Sequence, residues 1–421
     1  MEDFSSVTTF SYLSRHQFYK LKSSFFDCYL KDHVKPEDIL IRNAMMVTCW
    51  EGVRMSRDAA IERVCVGTIS ASHCESGKVE NNRNELTSID LFAGIGGIRL
   101  GFEKAFGKKI KTVFASEWDE PAQKTYRANF RDDFDISGDI TKISEEDVPP
   151  FDICLSGFPC QAFSLAGRRM GFEDNYKGMS RGTLFFDMVR ICALHKPKVI
   201  FCENVKGLTI HDKGRTFEVI KGTLEELGYA VHEKVLNSRD HGVPQNRERI
   251  YIVAFRNDID GSAFKFPEPA DSSKRIKDIV EEQPVSVKYY LSSTYLETLR
   301  KHRARHESKG NGFGYVVRDW EDVAGAIVCG GMGRERNLLI DKRQTDLMPV
   351  TNIKGEVNRE GVRKMTPREW ARLQGYPDTF NLPLSDVHLY KQLGNSVSVS
   401  VIEAIAKEIK KVLDKNDEKA A

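Results

Sequence analysis

The sequence predicts an α/β protein with a doubly wound sheet, because short buried-strand runs recur between helical patterns and polar residues follow several of them. A glycine-rich turn follows the first run, and single acids follow the second and the fourth. Open α/β sheets bind their ligands at the carboxyl ends of such strands, so we expect the functional site there. The runs are mostly apolar and of strand length; they are residues 86–91, 112–116, 151–155, 198–202, 231–236 and 250–254.

The composition is that of a globular protein. A chain of 421 residues exceeds the size of a single core, so we expect two or three domains. The net charge of +2 neither requires nor excludes a nucleic-acid partner. No apolar run approaches the ~20 residues of a membrane span, and no secretory signal opens the sequence. The nine cysteines show no metal-ligand spacing with histidine, so we expect a reduced, cytoplasmic compartment and no bound metal.

The first strand ends in a glycine turn, and the second ends in an acid. The turn at residues 92–97 lets the backbone approach a ligand closely. About twenty residues later, Glu117 is placed to bond ribose hydroxyls, and Trp118 offers a flat face for an adenine ring. A solvated loop carboxylate is the alternative interpretation of Glu117.

Cys160 lies in the stretch of residues 155–164, which follows the third strand run. Gly157 permits a tight turn, and Pro159 fixes φ and cannot extend the strand ladder. Cys160 is therefore delivered at the carboxyl edge of the sheet, although a lone cysteine is more often an inert small hydrophobe. At the end of the fourth strand, Glu203 occupies the equivalent position.

Basic residues recur in several glycine-bearing stretches. Arg247 and Arg249, two positions apart on an extended stretch, point the same way and are predicted to face one pocket, with a surface salt-bridge pair as the alternative. Glycines let the backbone approach a nucleic-acid duplex closely, and arginines can bond to its phosphates and bases. A solvent-exposed helix face is the simpler interpretation of a basic run. The stretches are residues 167–183, residues 300–306, and residues 330–337, here named the Gly-Arg loop.

These blocks, in this order, resemble the DNA (cytosine-5)-methyltransferases, a family of bacterial modification enzymes. The resemblance covers about residues 86–413. It rests on the glycine block at 89–97, the Phe-Pro-Cys-Gln loop at 158–161, the Glu-Asn-Val block at 203–205, the Gln-x-Arg-x-Arg block at 245–249 and the Gln-Leu-Gly-Asn-Ser-Val block at 392–397.

The resemblance implies the division of the chain. A doubly wound methyltransferase sheet is expected together with a smaller, irregular target-recognition domain. The expected parts are an N-terminal extension (1–85), a catalytic and cofactor domain (86–256), the recognition domain (257–362) and a return to the catalytic domain (363–421). Residues 56–78 resemble a helix-turn-helix DNA reader weakly, and a plain helical extension is the alternative.

The resemblance also implies the cofactor, S-adenosylmethionine, with S-adenosylhomocysteine as product and no metal. The glycine block would hold the methionine end of the cofactor, and Asp139 would accept from the adenine amino group. The residues expected to bind the cofactor are Phe92, Ala93, Gly94, Gly96, Glu117, Trp118, Asp139, Ile140, Pro159, Leu184, Asn395 and Val397.

The implied activity is methylation of carbon 5 of cytosine within a specific duplex DNA sequence. Cys160 would add to carbon 6 of a flipped-out base, and a protonated Glu203 would assist at ring nitrogen 3. Arg247 would steady the adduct and the cytosine carbonyl, with Arg249 supporting it or Glu203. The residues expected to contact DNA are Arg168, Arg169, Arg303, Arg334 and Arg336.

Two alternatives stay open at this point. A tRNA cytosine-5 methyltransferase of the same family would share Cys160 and Glu203. A transcription repressor that reads its operator through residues 1–85 is the other, with or without catalysis. For the enzyme we expect duplex DNA as partner, a monomeric state, and a bacterial cytoplasmic location on the nucleoid. It would be either the modification enzyme of a restriction-modification system, with a companion restriction endonuclease, or a solitary methyltransferase.

Overall fold

The predicted strand runs assemble into one central sheet with helices on both faces. A computed structural model of the chain describes residues 85–159, 175–176, 179–180, 184–312, 314–330, 332–348 and 355–420. The strands in these ranges are β1 (Leu86–Leu91), β2 (Ile110–Ser116), β3 (Ile153–Ser156), β4 (Asn175–Tyr176), β5 (Met179–Ser180), β6 (Val199–Val205), β7 (Tyr229–Asn237), β8 (Gln245–Asn246), β9 (Glu248–Arg256), β10 (Val317–Arg318), β11 (Ala324–Gly325), β12 (Leu338–Ile340) and β13 (Val362–Arg363).

The central sheet has the order β2-β1-β3-β6-β9-β7. Strand β1 pairs in parallel with β2 and β3, and β3 pairs in parallel with β6. Strand β9 runs antiparallel to both β6 and β7. The carboxyl ends of β1, β2, β3 and β6 therefore meet at one edge, which is where the predicted site residues follow in the sequence.

Helices cover both faces of this sheet. Ile98, Phe102, Ile402 and Ile405 pack on Phe201 and its neighbours on one face. On the other face, the Met188 Sδ atom lies 3.6 Å from the Cys202 Sγ atom. No helix in the described ranges is long and apolar enough to cross a membrane. The helices are α1 (Gly97–Phe106), α2 (Glu120–Asn129), α3 (Leu184–His195), α4 (Arg215–Glu226), α5 (Ser293–Glu307), α6 (Pro367–Leu373), α7 (Asp386–Asn395) and α8 (Val399–Ala420).

The turn between β1 and α1 uses unusual backbone angles. Phe92 has φ 56°, Gly94 has φ 57° and Gly96 has φ 83°. A β-carbon on Gly96 would also overlap the Phe130 ring. Glycine is needed at position 96 for both reasons, and the turn brings the start of α1 over the edge of the sheet.

The region predicted to recognise DNA has a small sheet of its own, in the order β10-β12-β13. Helix α5 packs on it through Leu296 and Leu299, which contact Leu338 and Val362. A second apolar cluster joins this region to α6 and α7. Its members include Ile276, Ile279, Ala324, Ile327, Trp370 and Leu393. The division at residues 257 and 362 stays a prediction, and the extension at 1–85 lies outside the described residues except for residue 85.

A buried ion network fixes the start of α6. Arg363 is fully buried and donates to both carboxylate oxygens of Glu369 at 2.8 Å and to Asp341 at 2.9 Å. Burial disfavours ionisation of Asp341, but bonds from Arg343 and Arg363 outweigh it and lower its pKa to about 2. Glu369 also completes a capping box with Thr366, and a proline occupies the first turn of α6.

Candidate functional site

A cleft opens at the carboxyl edge of the central sheet, between the start of α1 and the end of α7. All the residues predicted to bind the cofactor line this cleft except Gly96. Gly96 instead lies against the Phe130 ring. Glu203, predicted to act in catalysis, lines the same cleft. The further lining residues are Ile95, Gly97, Ile98, Ser116, Asp119, Ala122, Gly138, Gly157, Phe158, Lys391, Gln392 and Ser396.

Glu117 is held by the backbone on both sides. One carboxylate oxygen accepts from the Gly94 amide at 2.8 Å, and the other accepts from the Asp119 amide at 2.8 Å. Burial raises the pKa of Glu117, and these two amide bonds oppose the rise. The carboxylate is thus fixed in orientation, and each oxygen retains a lone pair for a hydroxyl group in the cleft.

Trp118 and Asp139 line the cleft on either side of Glu117. The Trp118 side chain is 51% exposed, so a large part of its ring is open to a ligand. Asp139 accepts from the Thr141 amide at 3.1 Å and from the Thr141 hydroxyl at 2.8 Å, both through one oxygen. Ile140 is buried beside it. A flat aromatic face next to a carboxylate acceptor is suited to a purine with an exocyclic amino group.

Glu203 is a buried carboxyl at the end of β6. Only 8% of the residue is exposed, and the Arg249 Nε atom lies 3.3 Å from its Oε1 atom. No side chain or amide in the described part of the chain makes a well-formed hydrogen bond to that oxygen. Burial raises the pKa of Glu203, while the charges of Arg249 and Arg247 oppose the rise. A carboxyl of this kind is suited to proton donation near neutral pH.

Arg247 and Arg249 have different partners. The Arg247 guanidinium donates to the Ile327 carbonyl at 2.9 Å and to the Ser396 carbonyl at 2.5 Å, and the residue is 3% exposed. Arg249 is the one that lies against Glu203. Arg249 thus lies beside the buried carboxyl and Arg247 is engaged by two backbone carbonyls, while the catalytic roles of both arginines stay a prediction.

The loop that leads to Cys160 is anchored beside Glu203. Asn204 donates to the Phe158 carbonyl at 3.1 Å and accepts from the Val205 amide at 2.8 Å. Pro159 lies on the cleft wall. Cys160 itself lies outside the described residues, as do Arg168 and Arg169. The anchored end of the loop is thus at the cleft, one residue before Cys160.

The cysteines in the described ranges do not offer another activated thiol. Cys154, Cys192 and Cys202 are buried, and burial raises the pKa of Cys154 and of Cys202 well above the usual range. Cys329 is exposed at the surface, yet partial burial of its thiol raises its pKa as well. A nucleophilic thiol needs a lowered pKa, so Cys154, Cys202 and Cys329 do not fit that role. The described residues also contain no cluster of three or more side chains able to hold a metal ion.

The chain matches the model of the family described as C-5 cytosine-specific DNA methylase over residues 86–411. It belongs to that family. Its activity is DNA (cytosine-5) methyl transfer. This confirms the activity and the family that the sequence motifs indicate.

Named relatives of the methylase are Type II methyltransferases. M.HpaII of Haemophilus parainfluenzae is 57% identical over 333 residues, which span 78% of this chain and 90% of that protein. M1.ScrFI of Lactococcus lactis subsp. cremoris is 46% identical over 78% of this chain and 79% of that protein. M.HhaI of Haemophilus parahaemolyticus is 40% identical over 77% of this chain and 94% of that protein.

Solved structures share the fold of the methylase. The S. pombe Dnmt2 methyltransferase matches with a TM-score of 0.60 and 21% identity, covering 79% of this chain and 99% of that one. The Entamoeba histolytica methyltransferase EhMeth matches equally well, with a TM-score of 0.60. At this identity the likeness supports the fold alone, and it confirms the predicted methyltransferase sheet.

The arginines of the methylase that were predicted to contact DNA differ in how they are engaged. Arg303 on α5 pairs with Glu307 at 2.7 Å and lies over the Tyr315 ring. Arg334 is exposed in the Gly-Arg loop, with its guanidinium carbon 5.5 Å from the centre of the Tyr390 ring. Arg336 is half-buried. Of the three, Arg334 presents its donors most openly.

Several lining residues of the methylase were not predicted from the sequence. Lys391 lies one turn before Asn395 on α7, and its ammonium group pairs with Asp119 at 2.7 Å across the cleft. The spacing of four residues on a helix was the available signal. Ser396 lies between two predicted residues. Phe158 is buried against the Phe185 ring, at 5.4 Å between ring centres, and nothing in its motif indicates that contact.

Proposed function

We propose that the chain methylates carbon 5 of one cytosine within a specific duplex DNA sequence, using S-adenosylmethionine, as the modification enzyme of a restriction-modification system. The observation that carries the proposal is that a single cleft is lined both by the expected cofactor residues and by Glu203. Pro159, next in sequence to Cys160, lies on its wall. Cofactor and catalytic carboxyl thus share one space.

The cleft residues fit S-adenosylmethionine. Both Glu117 oxygens keep acceptor capacity for the two ribose hydroxyls, and the open face of Trp118 suits the adenine. Asp139 suits the adenine amino group. The carboxyl groups of Glu117 and Asp139 favour a ligand with a net positive charge, as the sulfonium cofactor has, whereas the charge of Asp119 is balanced by Lys391. When bound, the cofactor supplies an electrophilic methyl group.

The chain's own residues make carbon 5 of cytosine nucleophilic. The Cys160 thiolate adds to carbon 6, which places electron density on carbon 5. Glu203, whose pKa is raised by burial, donates a proton toward ring nitrogen 3 as charge builds there. After methyl transfer, loss of the proton from carbon 5 and cleavage of the carbon–sulfur bond restore the aromatic ring and regenerate Cys160.

The two arginines support this step differently. Arg249 lies 3.3 Å from Glu203, where it orients the carboxyl and can reach the carbonyl oxygen of the base. Arg247 donates to the backbone carbonyls of Ile327 and Ser396 and holds these two segments in a fixed relative position. Because carbon 6 is stacked inside a duplex, the cytosine must leave the helix to reach this buried carboxyl.

Residues 257–362 recognise the bases of the DNA sequence. The basic stretch at residues 167–183 would close over the DNA. Arg334 is exposed in the Gly-Arg loop and its fork-shaped donors suit a guanine edge. Arg303, on the helix surface, suits a phosphate. The relatives are named Type II methyltransferases, which favours duplex DNA over tRNA and a companion endonuclease over a solitary role. A monomer acting on the nucleoid completes the proposal.

Bisulfite sequencing tests the proposal directly. Purified protein, S-adenosylmethionine and a DNA pool that contains every short sequence should give methylation of one cytosine within a single sequence motif. Glu203→Gln protein serves as the matched inactive control. Methylation of tRNA but of no DNA site, or of cytosines without regard to sequence, would contradict the proposal.

A further inference from the structure

Three buried polar side chains tie the recognition region to the cofactor cleft. Gln245 and Gln374 are fully buried, and Arg247 is nearly so. We name these three the polar bracket. The Gln245 amide nitrogen donates to the Gln374 side-chain oxygen at 3.1 Å, so the two glutamines form one connected unit. Buried polar side chains that bond in this way restrict one another's positions.

One arm of the bracket holds Ile327, which lies three residues before the start of the Gly-Arg loop. Its amide donates to the Gln245 side-chain oxygen at 3.0 Å, and its carbonyl accepts from Arg247 at 2.9 Å. Both backbone groups of one residue are therefore bound by the bracket. Strand β11, just before Ile327, pairs with β8 and extends this attachment.

The other arm holds Ser396, which lines the cofactor cleft between Asn395 and Val397. The Ser396 carbonyl accepts from Arg247 at 2.5 Å and from the Gln374 amide at 3.2 Å. Arg247 thus contacts Ile327 with one nitrogen and Ser396 with another. The Arg247 guanidinium therefore bridges the two attachment points directly.

Close packing reinforces the connection. A β-carbon added to Gly394 of α7 would lie 2.5 Å from the Cys329 amide nitrogen and 2.7 Å from the Val328 carbonyl carbon. The backbone that leads into the Gly-Arg loop therefore rests directly on the helix that ends at the cofactor cleft. Neither can shift without moving the other or breaking buried hydrogen bonds.

We propose that the polar bracket couples DNA recognition to cofactor binding, with Gln245 and Gln374 as positioning residues. This inference rests on the proposed function, in which the Gly-Arg loop reads DNA and the cleft binds S-adenosylmethionine. A loop fixed by cognate DNA fixes Ile327, and the bracket then fixes Ser396 in its cofactor-binding position. By linkage, the bound cofactor favours the DNA-reading position of the loop to the same degree.

The test is a thermodynamic cycle measured by calorimetry. S-adenosylhomocysteine is titrated into the protein alone and into its complex with a duplex that carries the recognised site. The ratio of the two dissociation constants is the coupling factor, which we expect to be about 10-fold in the native protein. Gln374→Met keeps the side-chain volume but removes the bonds to Gln245 and Ser396. We expect it to reduce the coupling factor to about 2-fold or less.

Asn358→Leu is the matched control. Asn358 is buried and bonds the Leu291 and Val362 carbonyls inside the recognition region, away from the bracket. This variant loses a comparable set of amide bonds and should keep the native coupling factor. Gln374→Glu is the second test variant should Gln374→Met not fold, because it keeps the shape but has no donor for the Ser396 carbonyl.

The outcomes separate this inference from the proposed function. A native protein that binds neither S-adenosylhomocysteine nor DNA contradicts the proposed function. A native protein that binds both without coupling overturns the bracket as a coupling element. A folded Gln374 variant that keeps the native coupling factor would also overturn it. The same holds if the Asn358→Leu control loses the coupling factor to the same extent as the Gln374 variant.

Discussion

Glu117 and Glu203 are the same residue type at equivalent strand ends, yet their surroundings give them opposite uses. Burial raises the pKa of both. Glu117 accepts two backbone amide bonds, which favour its ionised form as an acceptor for a ligand. Glu203 lacks such bonds within the described ranges and lies beside Arg249, which suits its proposed role as a proton donor. The partners of each carboxyl therefore decide its role.

Glu203→Gln should lower the turnover number by about 10²–10⁴-fold, because the amide cannot donate the proton needed at ring nitrogen 3. Since the protonated carboxyl is the active form, native turnover should fall as pH rises through the raised pKa of Glu203. Single-turnover methylation rates across pH measure both effects. Glu248→Gln, an exposed change on β9, should leave the rate and its pH profile unaltered. Full activity of the Glu203 variant would rule out its role as acid.

Glu117→Ala should weaken S-adenosylmethionine binding by about 1–3 kcal/mol, because the bonds to the ribose hydroxyls are lost. Calorimetric titration of the cofactor measures the change. Glu120→Ala, an exposed acid on α2, is the control and should bind like the native protein. Equal affinity of the Glu117 variant would show that this carboxylate only orders its own loop.

Arg334→Ala should relax the recognised sequence at one position, because a lost bidentate contact costs roughly 1–3 kcal/mol of discrimination. Arg303→Ala should instead weaken binding to all sequences alike, with a shallower salt dependence. Methylation of a randomised DNA pool by each variant, followed by bisulfite sequencing, measures both. A changed site for Arg303→Ala with an unchanged site for Arg334→Ala would mean that the two roles are reversed.

For individual residues, the sequence predicts where a side chain lies in the fold better than which groups it contacts. Glu117 and Glu203 could be placed because the carboxyl ends of neighbouring strands meet at one edge. The roles of Arg247 and Arg249 could not be separated, because their alternation says only that both point the same way. The carbonyls that hold Arg247 come from Ile327 and Ser396, 80 and 149 residues along the chain.

At the scale of elements, the strand runs and the glycine turn were predictable from local pattern, whereas strand direction was not. Apolar runs have the same composition in either orientation, and β9 runs antiparallel to β6 and β7. Helix α6 was predictable because Thr366 and Pro367 form a recognisable helix start. Its buried ion network was not, because Asp341 and Arg363 read as surface charges in the sequence.

Glu369→Ala should destabilise the protein by about 3–5 kcal/mol, because it leaves the charge of Arg363 buried without its main partner. Urea unfolding of the native protein and of the variant measures the difference. Glu360→Ala is the control: it removes an exposed partner of Arg300 and should cost less than about 1 kcal/mol. A Glu369 variant as stable as this control would show that the network contributes little.

For the whole molecule, the cleft brings together residues from both ends of the family region. Phe92 and Val397 line the same space, as do Lys391 and Asp119, although some 300 residues separate the two ends. The order of motifs indicates that they belong to one site. The recognition region could not be described from the sequence, because its short strands carry little periodic pattern.

In the proposed mechanism, Cys160 forms a bond to the target base while methyl transfer proceeds. The most direct measurement is mass spectrometry of the protein after reaction with a duplex that carries 5-fluorocytosine at the target position, in the presence of S-adenosylmethionine. Because fluorine cannot leave as a cation, the reaction should stop after methyl transfer with the DNA strand still bonded to Cys160. Peptide mapping should locate the bond at that residue, and Cys160→Ala should form no adduct and methylate no DNA. Methylation by the Cys160→Ala variant, or an adduct mapped to another residue, would contradict the account.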